Sequence, residues 1–402
     1  MELFKHQADF LIQNPNKHAL IWECGLGKSR AAIEWANKKG KTVLIIVPKG
    51  LITQWGHTVI KWGLKVHCHI ITKEAFKRDY KKLDPVYGSV IVDENHYFLG
   101  MKSALSKALY AFLKAYKPNV LMLSATQYRS SPWDVYRLLE LLDYPNRPSY
   151  WRFNTQCFSQ VRMGGRMIPV QRKGLEPLLA DYVRQVGSIV AMEDCLDVPE
   201  QTHEVEYFSF TKEQKEAIIA SYDPLPIVRF TKIHQIAGGT LKGDEYNPTQ
   251  FFESDKLERL LSLFRDNKKM IIVCRYTHEL QHIKKLMHQA QPERLVELID
   301  GSVPPETRSK ILKELDSKEE GVLLVNAACA EGWEFSTCPL MIFYSMDFSL
   351  LKYVQMMGRI QRINNIKKNT YIYLVVENSI DQDIHECVTI KKQDFHLAIY
   401  EK

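Results

Sequence analysis

The sequence predicts an α/β protein with two parallel β-sheets in tandem. Short apolar runs alternate with segments of helical spacing up to about residue 145, and again from about residue 251 to residue 402. Strands that alternate with helices are typical of parallel sheets, and ligands bind beyond the carboxyl ends of such strands. A glycine-rich loop follows the first apolar run, and charged residues follow several others. We therefore expect the functional residues at the strand ends.

The composition is that of an ordinary globular chain. It has 402 residues, enough for two or three domains, of which 45% are hydrophobic and 25% charged. No apolar run approaches the roughly 18–20 residues that span a membrane, and no signal-peptide core is present at the N-terminus. The eight cysteines lack metal-ligand spacing, so neither a zinc site nor a disulfide framework is expected. The net charge of +7 permits an acidic partner such as nucleic acid.

Two sets of five apolar runs have the length of buried strands. In the first predicted domain, residues 1–145, they are Ala19–Trp22, Val43–Val47, Val66–Ile71, Val90–Val92 and Val120–Leu123. In the second predicted domain, residues 251–402, they are Met270–Val273, Leu295–Ile299, Val322–Val325, Met341–Tyr344 and Tyr371–Val376. This repetition predicts two sheets of similar size.

The loop after the first run has the sequence of a phosphate-binding loop. Residues Glu23–Ser29 read Glu-Cys-Gly-Leu-Gly-Lys-Ser and stand between a strand and a predicted helix, as such a loop requires. Its glycines let backbone N–H groups approach phosphate oxygens, and the helix N-terminus adds its positive dipole end. Lys28 would reach the β- and γ-phosphates, and the Ser29 hydroxyl would bind Mg²⁺. Trp22 replaces the first glycine of the Walker A pattern, so an ordinary turn before a helix is the alternative for this loop alone.

Two adjacent acids, Asp93 and Glu94, follow the fourth run. A carboxylate at the end of a buried strand can hold Mg²⁺, and a second one can orient or deprotonate the attacking water. Two acids also commonly begin a solvated loop, which is the alternative for this pair alone. The upstream phosphate-binding loop in the same predicted sheet favours the catalytic interpretation.

Residues 146–250 are interpreted as an irregular insertion or linker. A Gly-Gly pair within residues 160–170 predicts a β-hairpin, which aromatic and basic residues flank. Arg162 and Arg166 are candidate contacts to DNA, because basic residues interleaved with aromatics can hold phosphates and stack bases. A hairpin that only packs on the surface is the alternative. Three further features are predicted here, an edge strand, a capped helix start and an exposed loop: Thr202–Phe210, Thr211–Lys215 and Gly238–Gln250.

A pair of arginines stands out in the second half. Arg359 and Arg362 are three residues apart and, if helical, share a face with Gln355. No phosphate-binding loop occurs in this half, so the pair suggests cations supplied across a cleft to a γ-phosphate. A solvated basic helix face is the alternative.

Taken in order, these motifs resemble those of superfamily 2 helicases. The glycine loop, the DEAH-like box Asp93–His96, the Ser124-Ala125-Thr126 triplet and Gln355–Arg362 carry the resemblance, and the details resemble Swi/Snf-type DNA translocases in their compact phage or prokaryotic form. That family's Gly-Leu-Gly-Lys loop also lacks the first glycine. Further segments resemble the family as well: Pro48–Trp55, Ile70–Glu74, Trp133–Leu142, Asp300–Gly301 with Arg308, and Ala330–Gly332. Two departures are Asn95, where alanine is usual, and Gly332-Trp333-Glu334, where Gly-Leu-Asn is usual.

The resemblance implies two RecA-like motor lobes in tandem, with ATP bound in the cleft between them and Mg²⁺ beside it. The implied nucleotide-binding residues, with Gln7 reading adenine, are Gln7, Gly25, Leu26, Gly27, Lys28, Ser29 and Arg30. Ser29 and Asp93 would hold the metal. The implied catalytic residues are Lys28, Asp93, Glu94, Gln355, Arg359 and Arg362, and the residues coupling ATP to DNA are His96, Ser124, Thr126 and Gly332. DNA contacts by motif position are Lys49, Thr72, Arg129, Arg275 and Asn326, and Trp55 is either another contact or a core residue.

The implied function is an ATP-dependent DNA translocase or helicase. We expect it to hydrolyse ATP while moving on duplex or branched DNA, independently of sequence, in replication, recombination or repair. We expect a monomer in a bacterial or phage-infected cytoplasm, without membrane contact, and with replication or recombination proteins as candidate partners. An RNA helicase is an alternative, although the Gly-Leu-Gly-Lys loop and Gln7 favour DNA. A non-catalytic nucleic-acid clamp is another, but it predicts broken motifs, whereas Lys28, Asp93 and Glu94 are all present.

Overall fold

The structure is a computed structural model and describes residues 2–83, 86–125, 131–163, 166–192, 194–195, 201–329, 333, 335, 337–360 and 368–391. The chain divides into two compact units, Met1–Asp197 and Val198–Lys392.

The first unit is built on a parallel sheet with helices packed against it. The strands of this unit are β1 Lys17–Trp22, β2 Val43–Val47, β3 Cys68–Thr72, β4 Ser89–Val92, β5 Asn119–Ser124, β6 Phe158–Met163, β7 Arg166–Gln171 and β8 Gly187–Val190. The sheet has the order β3-β2-β4-β5-β1-β8, and all of its pairings are parallel. Every residue of β2 and β4 is buried, as expected for strands covered on both faces.

The helices of the first unit begin at polar caps in several cases. They are α1 Lys5–Gln13, α2 Lys28–Lys39, α3 Ile52–Lys61, α4 Lys73–Asp79, α5 Ala104–Tyr116, α6 Pro132–Leu141, α7 Tyr150–Cys157 and α8 Glu176–Val186, with short 3₁₀ turns at Lys49–Leu51, Tyr80–Lys82 and Asn95–Phe98. The side chains of Ser103, Ser131 and Ser149 accept hydrogen bonds from the first turns of α5, α6 and α7.

The second unit repeats this architecture. Its strands are β9 Thr202–Phe208, β10 Thr240–Leu241, β11 Gln250–Phe251, β12 Lys269–Cys274, β13 Val296–Ile299, β14 Gly321–Asn326, β15 Leu340–Phe343 and β16 Thr370–Val376. Its sheet has the order β13-β14-β12-β15-β16-β9 and is also parallel throughout. The helices are α9 Lys212–Ala220, α10 Pro226–Ala237, α11 Asp255–Asp266, α12 Thr277–Ala290, α13 Pro305–Ser317, α14 Leu350–Met357 and α15 Ile380–Glu386, with short turns at Ala327–Cys329 and Cys387–Lys391.

These two sheets confirm the predicted fold class. Each of the ten predicted strands is observed, with ends that shift by two residues or fewer. Two parallel six-stranded sheets with flanking helices are the arrangement of tandem RecA-like lobes. No helix among the described residues is long and apolar enough to cross a membrane.

The segment 146–250 contributes to both units. The predicted hairpin is confirmed, because β6 and β7 pair in antiparallel fashion, although its Gly-Gly turn lies outside the described residues. Strand β8 then joins the first sheet beside β1, while β9 forms the predicted edge strand of the second sheet. Whether 146–250 acts as a separate insertion stays a prediction.

Two details around α10 test local predictions. Thr211 caps α9 in a capping box with Gln214, which confirms the predicted helix start. The interpretation of Gly238–Gln250 as an exposed loop is wrong at both ends, because β10 pairs with β11 and Thr240 is fully buried. Two contacts hold this segment against the unit: β10 pairs with β11, and the Tyr344 hydroxyl donates a hydrogen bond to the Gly238 carbonyl. Neither contact can be predicted from local composition.

Candidate functional site

The glycine loop at the end of β1 has a backbone that only glycine adopts without strain. Gly25 has φ +89° and Gly27 has φ +75°. A Cβ atom at Gly27 would lie 2.3 Å from Gln7 Nε2, so a side chain there would strain the backbone and displace the Gln7 amide. The loop therefore keeps its shape only with glycine at this position.

Helix α1 holds the loop from behind. Gln7 is fully buried, and its Nε2 donates to the carbonyls of Gly27 at 3.2 Å and Leu26 at 3.4 Å. His6 donates from Nε2 to the Leu26 carbonyl at 2.9 Å, and burial lowers the His6 pKa. The Gln7 amide is thus engaged with the loop, and its predicted contact with adenine stays a prediction.

The residues that begin α2 lie directly after the loop. Lys28 Nζ donates to the carbonyls of Trp22 at 2.7 Å and Glu23 at 3.1 Å. The N-cap of α2 is Gly27, which offers no side chain to the first backbone N–H groups, so this helix end suits an anion. Ser29 follows in the first turn. Arg30 instead donates to the Glu2 carbonyl at 2.7 Å and lies 4.4 Å from the centre of the Trp62 ring.

Asp93 directly follows β4 and carries a buried carboxyl group. Its Oδ2 accepts a hydrogen bond from Trp55 Nε1 at 2.7 Å, and its Oδ1 accepts one from the Glu94 N–H at 2.9 Å. Burial and the neighbouring Glu94 raise the pKa of Asp93 to about 7, while Trp55 and the charge of Lys28 oppose this rise. Lys28 and Asp93 therefore interact electrostatically, as the predicted site requires.

Glu94 and His96 are also brought together. Glu94 adopts a left-handed backbone with φ +47°, which is uncommon for a residue with a side chain and is often found at functional sites. Its Oε2 lies 3.2 Å from Nδ1 of the buried His96. Ser124 ends β5, the neighbour of β4, and is fully buried, while Thr126 lies outside the described residues.

The donor set fits a divalent cation bound with phosphate. Asp93 and Glu94 are adjacent acids at a strand end, and burial disfavours the charge of Asp93 until a cation is present. The lysine and the uncapped end of α2 suit the phosphates. Asp93 and Ser29 would hold Mg²⁺, which would neutralise phosphate charge there.

Two residues of this site were missed or misread in the sequence. Trp55 is 2% exposed, so its interpretation as a DNA contact is wrong, and the core alternative is correct. Its indole N–H is bonded to Asp93, which no local pattern in α3 indicates. Glu23 Oε2 accepts a hydrogen bond from the Met192 N–H at 2.7 Å and so ties the loop to the segment after β8.

Two predicted DNA contacts meet at the strand ends of the second unit. Asn326 is the last residue of β14, and its Nδ2 donates to the carbonyl of Arg275 at 2.9 Å, while Arg275 follows the adjacent strand β12. Asn326 Oδ1 accepts from the Ala328 N–H at 2.8 Å. The Arg275 guanidinium is half-buried and contacts His234, with NH1 3.3 Å from Nδ1.

The Gln355 and Arg359 side chains do not share a helix. Helix α14 ends at Met357, and Gly358 and Arg359 form the turn that follows, because glycine favours a helix end over its continuation. The Arg359 guanidinium donates to the Trp333 carbonyl at 2.5 Å, and Gln355 is buried. Arg362 and Gly332 lie outside the described residues.

The remaining candidates for DNA contact differ in exposure. Lys49 is exposed at the end of β2, and Arg162 and Arg166 are exposed on the β6–β7 hairpin. Thr72 caps α4, with its Oγ1 accepting from the Ala75 N–H at 3.1 Å. Arg129 lies outside the described residues.

The fold defines a class of protein, the α/β proteins with two RecA-like lobes in tandem, and the glycine-rich loop follows a strand of the first sheet. A model of the helicase conserved C-terminal domain matches residues 255–364. The Bos taurus protein named SWI/SNF-related matrix-associated actin-dependent regulator of chromatin subfamily A-like protein 1 is 26% identical over 149 residues, which cover 32% of this chain and 16% of that protein. Residues 255–364 of the second unit therefore resemble the C-terminal domain of helicases, and about a third of the chain is similar to a SWI/SNF-related protein.

A solved structure is also similar over the whole chain. It is the Sulfolobus solfataricus SWI2/SNF2 ATPase core in complex with dsDNA, with 15% sequence identity and a TM-score of 0.44. The similarity covers 100% of this chain and 95% of that one.

Proposed function

We propose that this protein is an ATP hydrolase that uses the energy of hydrolysis to move along DNA, as a translocase or helicase. One observation carries the proposal: Lys28, Asp93 and Glu94 lie at the carboxyl edge of one parallel sheet, around a loop held open by glycines. The match of residues 255–364 to the helicase conserved C-terminal domain and the similarity to a SWI/SNF-related protein support it.

The nucleotide would bind across the loop and the start of α2. Lys28 would exchange the carbonyls of Trp22 and Glu23 for the β- and γ-phosphates. Asp93, aligned by the Trp55 indole, would hold Mg²⁺ together with Ser29. Glu94 would orient the attacking water and accept its proton, with the buried His96 beside it.

The second unit would supply positive charge to the same nucleotide. Arg359 and Arg362 carry the guanidinium groups that suit a γ-phosphate, and their motif resembles that of superfamily 2 helicases. ATP would then bridge the two lobes. Movement along DNA requires that ATP and ADP favour different arrangements of the lobes, because a ligand shifts a conformational equilibrium only through differential affinity.

DNA would be held mainly through its phosphates. Arg275 and Asn326 at the strand ends, Lys49 and Thr72 in the first unit, and the exposed arginines of the hairpin are the proposed contacts. Such contacts are independent of base sequence and weaken as salt rises. A role in replication, recombination or repair stays a prediction.

The nucleotide site is tested by replacing its lysine. Lys28→Ala removes the only side chain of the loop that donates charge to phosphate, so the ATPase rate should fall by at least about a hundredfold. Lys5→Ala, an exposed lysine on α1, is the matched control and should keep the normal rate. A Lys28→Ala variant with normal turnover would refute the site.

The nucleic-acid substrate is tested by comparing stimulation of the ATPase. Linear duplex, forked DNA, a four-way junction and single-stranded RNA should be measured side by side, and we expect the DNA substrates to stimulate most. Greater stimulation by RNA would favour the RNA-helicase alternative. Arg162→Ala with Arg166→Ala tests the hairpin, since unchanged unwinding together with unchanged DNA-stimulated ATPase would contradict its role.

A further inference from the structure

A buried polar cluster lies behind the Arg275 end of β12. We call His234, Lys256, Asp381, Arg275 and Tyr276 the His234 cluster. His234 and Lys256 are 1% exposed and Asp381 is 2% exposed. The first three side chains come from α10, α11 and α15, so three helices converge on one strand end. Buried polar groups of this kind cost stability unless they are paired, and each of them has a partner within the cluster.

The contacts of His234 determine its protonation state. Arg275 NH1 lies 3.3 Å and the Tyr276 hydroxyl 3.1 Å from Nδ1. A guanidinium can only donate, so Nδ1 accepts and the ring is neutral with its proton on Nε2. Nε2 faces Asp381 Oδ1 at 3.6 Å. Burial lowers the pKa of His234, which agrees with a neutral ring.

The carboxylate of the cluster, Asp381, is already paired with Lys256. Asp381 Oδ2 lies 2.6 Å from Lys256 Nζ and also accepts from the Val376 N–H at 3.0 Å. The next carboxyl group, Glu279, accepts a hydrogen bond from the Ser345 hydroxyl. Within the described part of the chain, Arg275 forms no ion pair. Its guanidinium is therefore anchored by a neutral acceptor and keeps its full positive charge.

We propose that His234 is a positioning residue that aims the Arg275 guanidinium at a backbone phosphate of the bound nucleic acid. A carboxylate in the place of His234 would hold the guanidinium equally well but would compete with the phosphate. The imidazole holds it without neutralising it. Asn326 fixes the Arg275 backbone from the other side, through the hydrogen bond to its carbonyl. This inference rests on the proposed action on nucleic acid and adds to it the residue that prepares one contact.

The test measures binding of a duplex DNA over a range of salt concentrations. Arg275→Ala should weaken binding about tenfold, since a hydrogen bond to a charged group is lost, and should reduce the slope of log affinity against log salt by about one. His234→Leu should have the same two effects. His234→Asn should bind within about threefold of the original protein, because Asn Oδ1 branches from Cγ as Nδ1 does and can accept from the guanidinium. His288→Leu, an exposed histidine on α12, is the control and should change neither quantity.

The double variant His234→Leu with Arg275→Ala should bind no more weakly than Arg275→Ala alone, because both changes remove one contact. Additive losses would overturn the inference, and so would a His234→Leu variant with the original affinity and salt slope. If His234→Leu does not fold, His234→Gln takes its place in the test. The glutamine amide branches one carbon further out, so His234→Gln should bind DNA weakly while His234→Asn binds it well. Equal binding by these two would also overturn the inference. Absence of salt-dependent binding by the unaltered protein would instead refute the proposed function.

Discussion

Asp93 in the first unit and Asp381 in the second are both buried carboxyl groups, yet their charges are balanced differently. Burial disfavours ionisation of Asp381, but the charge of Lys256 at 2.6 Å and the contact with His234 outweigh it and hold the pKa well below its usual range. Burial and Glu94 raise the pKa of Asp93 to about 7, and its main partner is the neutral indole of Trp55. The chain thus supplies a counter-ion for Asp381 and leaves Asp93, the proposed metal ligand, available for a ligand cation, as is common at catalytic sites.

The largest expected effect comes from breaking the structural pair. Asp381→Asn leaves the Lys256 ammonium buried without its counter-ion, so the free energy of unfolding should fall by about 3–5 kcal/mol. Urea unfolding followed by circular dichroism measures this loss. Asp383→Asn, two residues away on the same helix and exposed, is the control and should stay within about 0.5 kcal/mol. A small loss at Asp381 would mean that its pairing is not structural.

A third buried acid, Glu279, extends this comparison to the pH dependence of stability. Burial raises the pKa of Glu279 to about 7, above its unfolded value, so its favourable contribution is complete at low pH and is lost as pH rises through 7. The original protein should therefore lose about 3 kcal/mol more stability between pH 4.5 and pH 8 than Glu279→Gln does. Urea unfolding across this range provides the measurement.

The prediction is contradicted if the free energy of unfolding depends on pH in the same way in the original protein and in Glu279→Gln. Glu258→Gln, an exposed acid on α11, is the control and should follow the original curve. Asp381 should behave in the opposite sense, because its lowered pKa makes its contribution present at neutral pH and lost only as pH falls below its unfolded range.

Replacing Asp93, the proposed metal ligand, should have the opposite pattern of effects: activity should be lost while stability is kept. Asp93→Asn should lower the ATPase rate by at least about a hundredfold, since metal-assisted charge stabilisation amounts to several kcal/mol. The free energy of unfolding at pH 8 should stay the same or rise, because the variant no longer buries an acid whose charge is disfavoured. A loss of stability as large as that of Asp381→Asn would remove the distinction between the two acids.

The smallest expected effect concerns the indole that aligns Asp93. Trp55→Phe keeps the ring in the core but removes the hydrogen bond to Oδ2. The Mg²⁺ concentration for half-maximal activity should rise about tenfold, the lower end of the range for residues that orient a metal ligand. Mg²⁺-dependent binding of a fluorescent ATP analogue should shift in parallel. Trp151→Phe, which alters an exposed indole, should leave both unchanged. An unaltered Mg²⁺ requirement in Trp55→Phe would show that the indole only fills space.

The strands could be predicted because their signal is local. The runs that became β2 and β12 are continuous and apolar, as fully buried parallel strands must be, and a polar residue precedes each of them. Strand β8 is shorter and only half-buried, so its sequence does not stand out. It becomes a strand by pairing with β1, where Trp22 lies opposite Val190. The helix end before Arg359 was likewise missed, because an Arg spacing of three fits a helix until Gly358 ends it.

The sequence alone determined the fold class and the positions of the glycine-rich loop and the strand-end acids, since each depends on residues that are close together in the chain. Tertiary structure decided which groups stand beside them. Trp55 reaches Asp93, Gln7 packs against Gly27, and Lys256 pairs with Asp381 only because folding brings distant segments into contact. Electrostatic and hydrogen-bond energies depend on distance in space and on burial, and neither quantity can be read from the order of residues along the chain.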